Sequence, residues 1–316
     1  MIPMLWAVAL YLAFFVSAPL VADAPTYSVT DLTWHDASRD RDVPARIYAP
    51  TSGAGPFPVI IFSHGLGGSR TGYSYLGEYW ASYGFIVVHV QHLGSDTASL
   101  WPMKKMNEAM KDPANYINRP KDISFAIDQV TAMNRAPGPW QGKFNLAHIG
   151  VAGHSFGGYT TMAIAGATLT TASGDVENLG DPRVKAIVAM SVPPLKRQDF
   201  SAVHIPALHI TGTDDQIRLV PGDLPSARRI PYDAAKGPNT YLVIFKGANH
   251  MSFSGRETLL ETDAQKAIDA SVHDLVDRAT TAFWDAYLKG DQKAGDWLSK
   301  GGFATTLGSR GTFEQK

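Results

Sequence analysis

The chain has 316 residues, of which 45% are hydrophobic and 18% charged, a balance that suits a globular protein with a substantial core. Its 28 basic and 29 acidic side chains leave a formal charge of −1, which gives no electrostatic footprint for nucleic acid. There is no cysteine, so a disulfide framework, a thiolate nucleophile and a cysteine-ligated metal are excluded.

Residues 2–22 carry no charged side chain. We read 1–24 as an export signal cleaved between about Ala18 and Ala24, which makes the protein secreted or periplasmic. The run is also long enough to span a bilayer, so an uncleaved anchor, with membrane association through the N-terminus, is the alternative. No composition break or linker divides the remainder, and one domain is expected over 25–316.

Residues 27–34 and 43–48 read as two strands joined by a polar turn. The apolar run 58–63 reads as a strand covered on both faces, and it leads into His64-Gly65-Leu66-Gly67-Gly68. A helix over 73–82 and a buried strand over 85–90 follow. The segment 94–118 holds Trp101, Met103, Met106 and Met110. It is either a short helix packed on the core or a small lid-like insertion with an apolar underside for acyl chains. His92, Trp101 and Met106 are the candidates to line a substrate pocket.

A helix over 119–134 places Ile123, Ile127 and Val130 on one face. Further strands are expected over 147–152, 184–190, 206–211 and 241–245, the last of them at 241–245. The excursion 216–239 carries Arg228 and Arg229, read either as contacts for an anionic headgroup or as surface ion pairs. A final helix aligns Ile268, Val272, Leu275, Ala279, Phe283 and Ala286. Strands alternating with helices imply a mostly parallel sheet covered on both faces, with its ligand site at the carboxyl ends of the strands.

Between the strand at 147–152 and a helix over 158–165 lies Gly153-His154-Ser155-Phe156-Gly157. A serine flanked by glycines at a strand-to-helix turn is the nucleophile elbow of an α/β-hydrolase fold. Serine needs a base, and His250 follows the strand at 241–245, at the correct edge of the sheet. His204 precedes its strand and His209 lies within one. The acid that orients the base should follow the strand at 206–211, where Asp214 and Asp215 stand side by side. Asp215 is the choice and Asp214 the alternative. The backbone N–H groups of Leu66 and Phe156 are the candidates for an oxyanion hole. His64 reads as a structural hydrogen-bonding residue.

The blocks 61–71, 81–87 and 153–158 together resemble the plasma-type platelet-activating-factor acetylhydrolases. They are still more similar to bacterial relatives described as predicted dienelactone hydrolases or acetylhydrolases. Residues 36–50, 119–122 and 247–253 fit the bacterial group, and the resemblance runs in blocks from Trp34 to Tyr287. It implies a serine esterase with Ser155, His250, Leu66 and Phe156 in the roles given above, without metal or cofactor. In the plasma-type enzymes the acid follows the strand just after the nucleophile. Here that stretch, 189–194, holds no carboxylate, which again points to Asp215. Short-chain, lipid, polymer or aromatic esters are all compatible with this reading. A non-catalytic module of the same fold that binds an ester or lipid is the alternative from another class.

Overall fold

The computed structural model describes residues 27–100, 105–193, 195, 197–217, 220, 222–256 and 262–316. The expected leader, Trp101 and Met103 therefore lie outside the described residues. The chain opens with a hairpin, β1 (Tyr27–Asp36) and β2 (Arg41–Pro50), paired in continuous register from Tyr27↔Pro50 to Asp36↔Arg41. The central strands are β3 (Phe57–Ser63), β4 (Ile86–Val90), β5 (Phe144–His154), β8 (Val184–Met190), β10 (Ala207–Asp214) and β11 (Thr240–Asn249). All six run parallel, and β12 (Gly311–Gln315) closes the far side antiparallel to β11. The nine-stranded sheet has the order β1-β2-β4-β3-β5-β8-β10-β11-β12. Three short strands, β6 (Thr168–Thr170), β7 (Val176–Asn178) and β9 (Gln198–Asp199), pair separately.

Helices cover both faces, as a mostly parallel sheet requires. They are α1 (Ser74–Ser82), α2 (Met106–Lys111), α3 (Pro113–Arg135), α4 (Phe156–Ile164), α5 (Ile230–Ala234), α6 (Asp263–Trp284), α7 (Gln292–Ser299) and α8 (Gly302–Leu307). Side chains of β3 show the two-sided burial. Ile60 and Phe62 join Trp80, Phe283 and Trp284 on one face, while Val59 and Ile61 join Ile123, Ile127 and Met162 on the other. Successive strand residues point to opposite faces, so an unbroken apolar run is what this position demands.

Two expectations need correction. The helix expected from 119 begins at Pro113, with the Asp112 side chain capping the N–H of Ala114 at 2.9 Å. Pro120 lies inside that helix and cannot bond the carbonyl of Tyr116 four residues back. The Tyr159 hydroxyl donates to that carbonyl instead, at 3.0 Å, so the interruption is repaired from a neighbouring helix. The strand at 241–245 is also not the last one. β12 pairs with it from Tyr241↔Gln315 to Phe245↔Gly311.

Candidate active site

Ser155 sits between β5 and α4 with φ 57° and ψ −117°, a left-handed conformation that non-glycine residues rarely adopt. The turn is closed by contact with β3. A Cβ on Gly157 would lie 1.8 Å from the Ser63 carbonyl oxygen, and one on Gly153 would lie 2.3 Å from the Gly157 oxygen. Only glycine fits at either position.

His250 and Asp215 follow the carboxyl ends of β11 and β10, beside the elbow. His250 Nε2 is 2.8 Å from Ser155 Oγ, and His250 Nδ1 is 2.7 Å from Asp215 Oδ1. Three residues from three loops thus form one hydrogen-bonded line. Asp215 is fully buried, and burial alone would raise its pKa. The hydrogen bond from His250 and the charges of His250 and Arg228 outweigh that, and hold the carboxyl well below its ordinary range. The Thr211 hydroxyl donates to Oδ2 at 2.7 Å, and Arg228 Nε donates to Oδ1 at 3.2 Å. Asp214 is exposed and accepts from the Thr213 hydroxyl at 2.9 Å.

A buried strut runs behind the elbow. Gly65 N–H donates to the Tyr73 hydroxyl at 3.3 Å, and the ring of His154 bridges Tyr73 Oη (2.8 Å) and the His250 carbonyl (2.9 Å). Burial, and then the proximity of His250, push the His154 pKa down to about 3, so the ring is neutral near pH 7. A carbonyl can only accept, which fixes the proton on His154 Nε2 and makes Nδ1 the acceptor of the Tyr73 O–H. The strut joins the backbone of the histidine loop to the glycine loop after β3.

The line opens on a cavity of about 400 Å³ whose walls are mostly apolar. Leu66 and Phe156 line it together with Ser155, and Tyr116, Tyr159, Met106 and Met110 belong to the same wall. Phe156 opens α4, so its N–H has no acceptor within the helix. Met106 and Met110 both belong to α2, which borders the cavity. His92, by contrast, is not at the cavity wall. It is fully buried and its ring is committed to Ser63 and Asp122, which corrects the expectation that it lines the pocket. Trp101 lies outside the described residues. Among those residues no group of three or more His, Asp or Glu could hold a metal ion.

Residues 27–136 match the family model for platelet-activating factor acetylhydrolase, isoform II. The platelet-activating factor acetylhydrolase of Cavia porcellus is 24% identical over 295 residues, covering 81% of this chain and 63% of that protein. The chain is thus similar to platelet-activating-factor acetylhydrolases, at low identity over most of its length. The Bos taurus protein of the same name is 50% identical over 48 residues, which cover 15% of this chain and 11% of that one. Chlorophyllase-1 of Citrus sinensis is 30% identical over 141 residues, covering 44% of this chain and 38% of the relative. The chain thus spans less than two thirds of the length of each of these relatives.

The acetylhydrolase family match takes in the loop carrying Leu66 but ends before the elbow. It also takes in a second Ser–His–Asp line that composition and spacing do not announce. Ser63 Oγ is 2.9 Å from His92 Nε2, and His92 Nδ1 is 3.0 Å from Asp122 Oδ2. All three side chains are fully buried, and Asp122 is also bound by Arg39 and Arg41. Burial, and then Arg119, lower the His92 pKa to about 4. The Ser63 hydroxyl is also contacted by Arg119 at 3.1 Å, and none of the three lines the cavity. That line ties β3, the loop after β4 and α3 together in the interior. His64 is likewise structural: its Nε2 accepts the N–H of His92 and its Nδ1 donates to the Gly65 carbonyl. Arg228 departs from both expected roles, since it is buried between Asp215 and Asp223, whereas Arg229 pairs at the surface with Asp233 and Glu314.

Proposed function

We propose that the protein is a serine carboxylic ester hydrolase working through an acyl-enzyme on short-chain or lipid-type esters. The observation that carries this reading is the Ser155–His250–Asp215 line, with contacts of 2.8 and 2.7 Å, opening on an apolar cavity. Ser155 Oγ attacks the ester carbonyl while His250 Nε2 takes its proton. Asp215 orients the imidazole and stabilises its charged form. The N–H groups of Leu66 and Phe156 receive the oxyanion, and His250 returns the proton to the departing alcohol. Water repeats the sequence on the acyl-enzyme and releases the acid.

The cavity supports the substrate class: its apolar wall suits an acyl chain, and α2 supplies part of that wall through Met106 and Met110. Relatives named acetylhydrolases favour a short acyl group. We also assign residues 1–24 to export, which N-terminal sequencing of the mature extracellular or periplasmic protein tests.

A fluorophosphonate probe tests the nucleophile. Ser155→Ala should abolish labelling, and Ser63→Ala should retain it in folded protein. Failure of the folded wild type to label would sink the esterase reading in favour of a binding module. Labelling lost only in Ser63→Ala would move the nucleophile to the buried line. A hydrolysis profile against p-nitrophenyl esters of increasing acyl length then tests the substrate class. A steep fall beyond short chains indicates a closed acyl pocket.

A further inference from the structure

We infer that Arg119 is a positioning residue that holds both halves of the oxyanion hole in register, an assignment that rests on the esterase reading above. Arg119 lies on α3, away from the cavity wall, and is fully buried. Among the described residues no carboxylate contacts its guanidinium. A buried cation without a contacting counter-charge is costly, because desolvation is not recovered by a direct ion pair. Burial drives its pKa down to about 9, which still leaves it charged near neutral pH. Such a group calls for a role that an apolar residue would not fill.

Its contacts divide into two arms. The first reaches the glycine loop: one terminal nitrogen donates to the His64 carbonyl and, at 3.1 Å, to Ser63 Oγ. The His64 carbonyl stands two residues before Leu66. The other terminal nitrogen donates to Ser95 Oγ at 2.7 Å, and the Ser95 carbonyl in turn accepts the N–H of Gly67 at 2.9 Å. Leu66 is therefore gripped on both sides by groups that Arg119 binds.

The second arm reaches the elbow. Arg119 Nε donates to Thr160 Oγ1 at 3.0 Å, and that hydroxyl donates to the Phe156 carbonyl at 3.0 Å. The guanidinium carbon also lies 4.4 Å from the centroid of the Phe156 ring, a cation–π contact. The two proposed donors come from loops that meet only through tertiary contact, and one planar fork touches the surroundings of each. A planar, five-donor group can serve several acceptors at fixed angles, which an ammonium cannot. The retained charge also favours the anion that develops at the hole.

Loosening a donor falls short of deleting one, which costs about 10²–10³ in rate. Arg119→Lys and Arg119→Gln are therefore expected to lower kcat on p-nitrophenyl butyrate by about 10–100-fold, with KM changed by less than about threefold. Rates are normalised to active sites titrated with a fluorophosphonate. Affinity for a trifluoromethyl ketone, whose adduct places an oxyanion in the hole, should fall in parallel with kcat/KM. A merely structural role would lower the titre or the melting temperature and leave those normalised quantities unchanged. Thr160→Val cuts the elbow arm alone and should lower kcat several-fold, which keeps the assignment testable where neither Arg119 variant folds. Folded Arg119 variants with unchanged normalised kcat would overturn it, as would unchanged kcat in Thr160→Val where those do not fold. A wild type that does not label sinks the esterase reading, and the role of Arg119 with it.

Discussion

Replacing Asp215 by asparagine removes the charge that the imidazole faces while nearly preserving shape. Two unit charges about 4 Å apart, at an effective dielectric constant of about 20, attract by about 4 kcal/mol. That is about 10³ in rate if the attraction is realised only when His250 is protonated in the transition state. The amide also permits the wrong imidazole tautomer, and in serine proteases the corresponding change costs about 10⁴. Asp215→Asn should thus lower kcat by about 10³–10⁴, measured on p-nitrophenyl butyrate with active-site titration.

Stability should fall too. Arg228 Nε loses its carboxylate partner but Nη2 retains Asp223 at 2.5 Å, so we expect about 2–4 kcal/mol, near or below the usual cost of breaking a buried pair. Because the folded-state pKa of Asp215 is depressed, its contribution is present above the unfolded value of about 3.9. It is lost as pH falls toward the folded value. The stability gap between wild type and Asp215→Asn should therefore be widest near neutral pH and shrink below about pH 4. Asp214→Asn is the control, since among the described residues its exposed carboxylate accepts a side-chain hydrogen bond only from the neighbouring Thr213 hydroxyl, and less than about threefold loss is expected. If Asp214→Asn is the more damaging change, or Asp215→Asn keeps wild-type kcat, the reasoning is wrong.

Three further outcomes follow from named contacts. Tyr73→Phe strands the Gly65 N–H and the acceptor nitrogen of His154, so urea denaturation should reveal a loss of about 1–3 kcal/mol, accompanied by a several-fold fall in kcat; an unchanged midpoint would contradict the strut. Gly157→Ala places a methyl 1.8 Å from a backbone oxygen, and circular dichroism should find it unfolded or strongly destabilised. Asp277 has a carboxyl oxygen buried without a hydrogen-bond partner among the described residues, and burial, followed by repulsion from Asp274, raises its pKa to about 8. Its ionisation therefore opposes folding, with a penalty that grows as pH rises from the unfolded value toward about 8. Asp277→Asn should raise the melting temperature at pH 9, by about 1–3 kcal/mol in stability terms, and much less at pH 4. Equal effects at both pH values would refute this.

Local pattern carried the architecture a long way. Runs such as Val59–Phe62 and Val184–Met190 are apolar on every residue that must be buried, and a parallel sheet is the structure that buries both faces of a strand. The strained turn at Ser155 was legible because only glycine tolerates a backbone oxygen at the distances found around Gly153 and Gly157. β12 was not legible, because a short antiparallel edge strand after two small helices depends on its partner rather than on its own periodicity. Nor was the early start of α3, since the repair at Pro120 comes from Tyr159 on another helix.

The sequence by itself determined the elbow, the side of the sheet on which a base and an acid could stand, and the glycine loop after β3. Those follow from backbone sterics and from chain order, which are local. Only the tertiary structure decided which partners the buried polar groups take. It joined His250 to Asp215 rather than Asp214, buried Arg228 against that carboxylate, and took His92 away from the pocket into a second, enclosed Ser–His–Asp line. Residues 35 to 95 positions apart in sequence meet within 2.8 Å in the first of these lines. Hydrogen bonds of that kind depend on where the strands end in space, and spacing along one chain does not encode that.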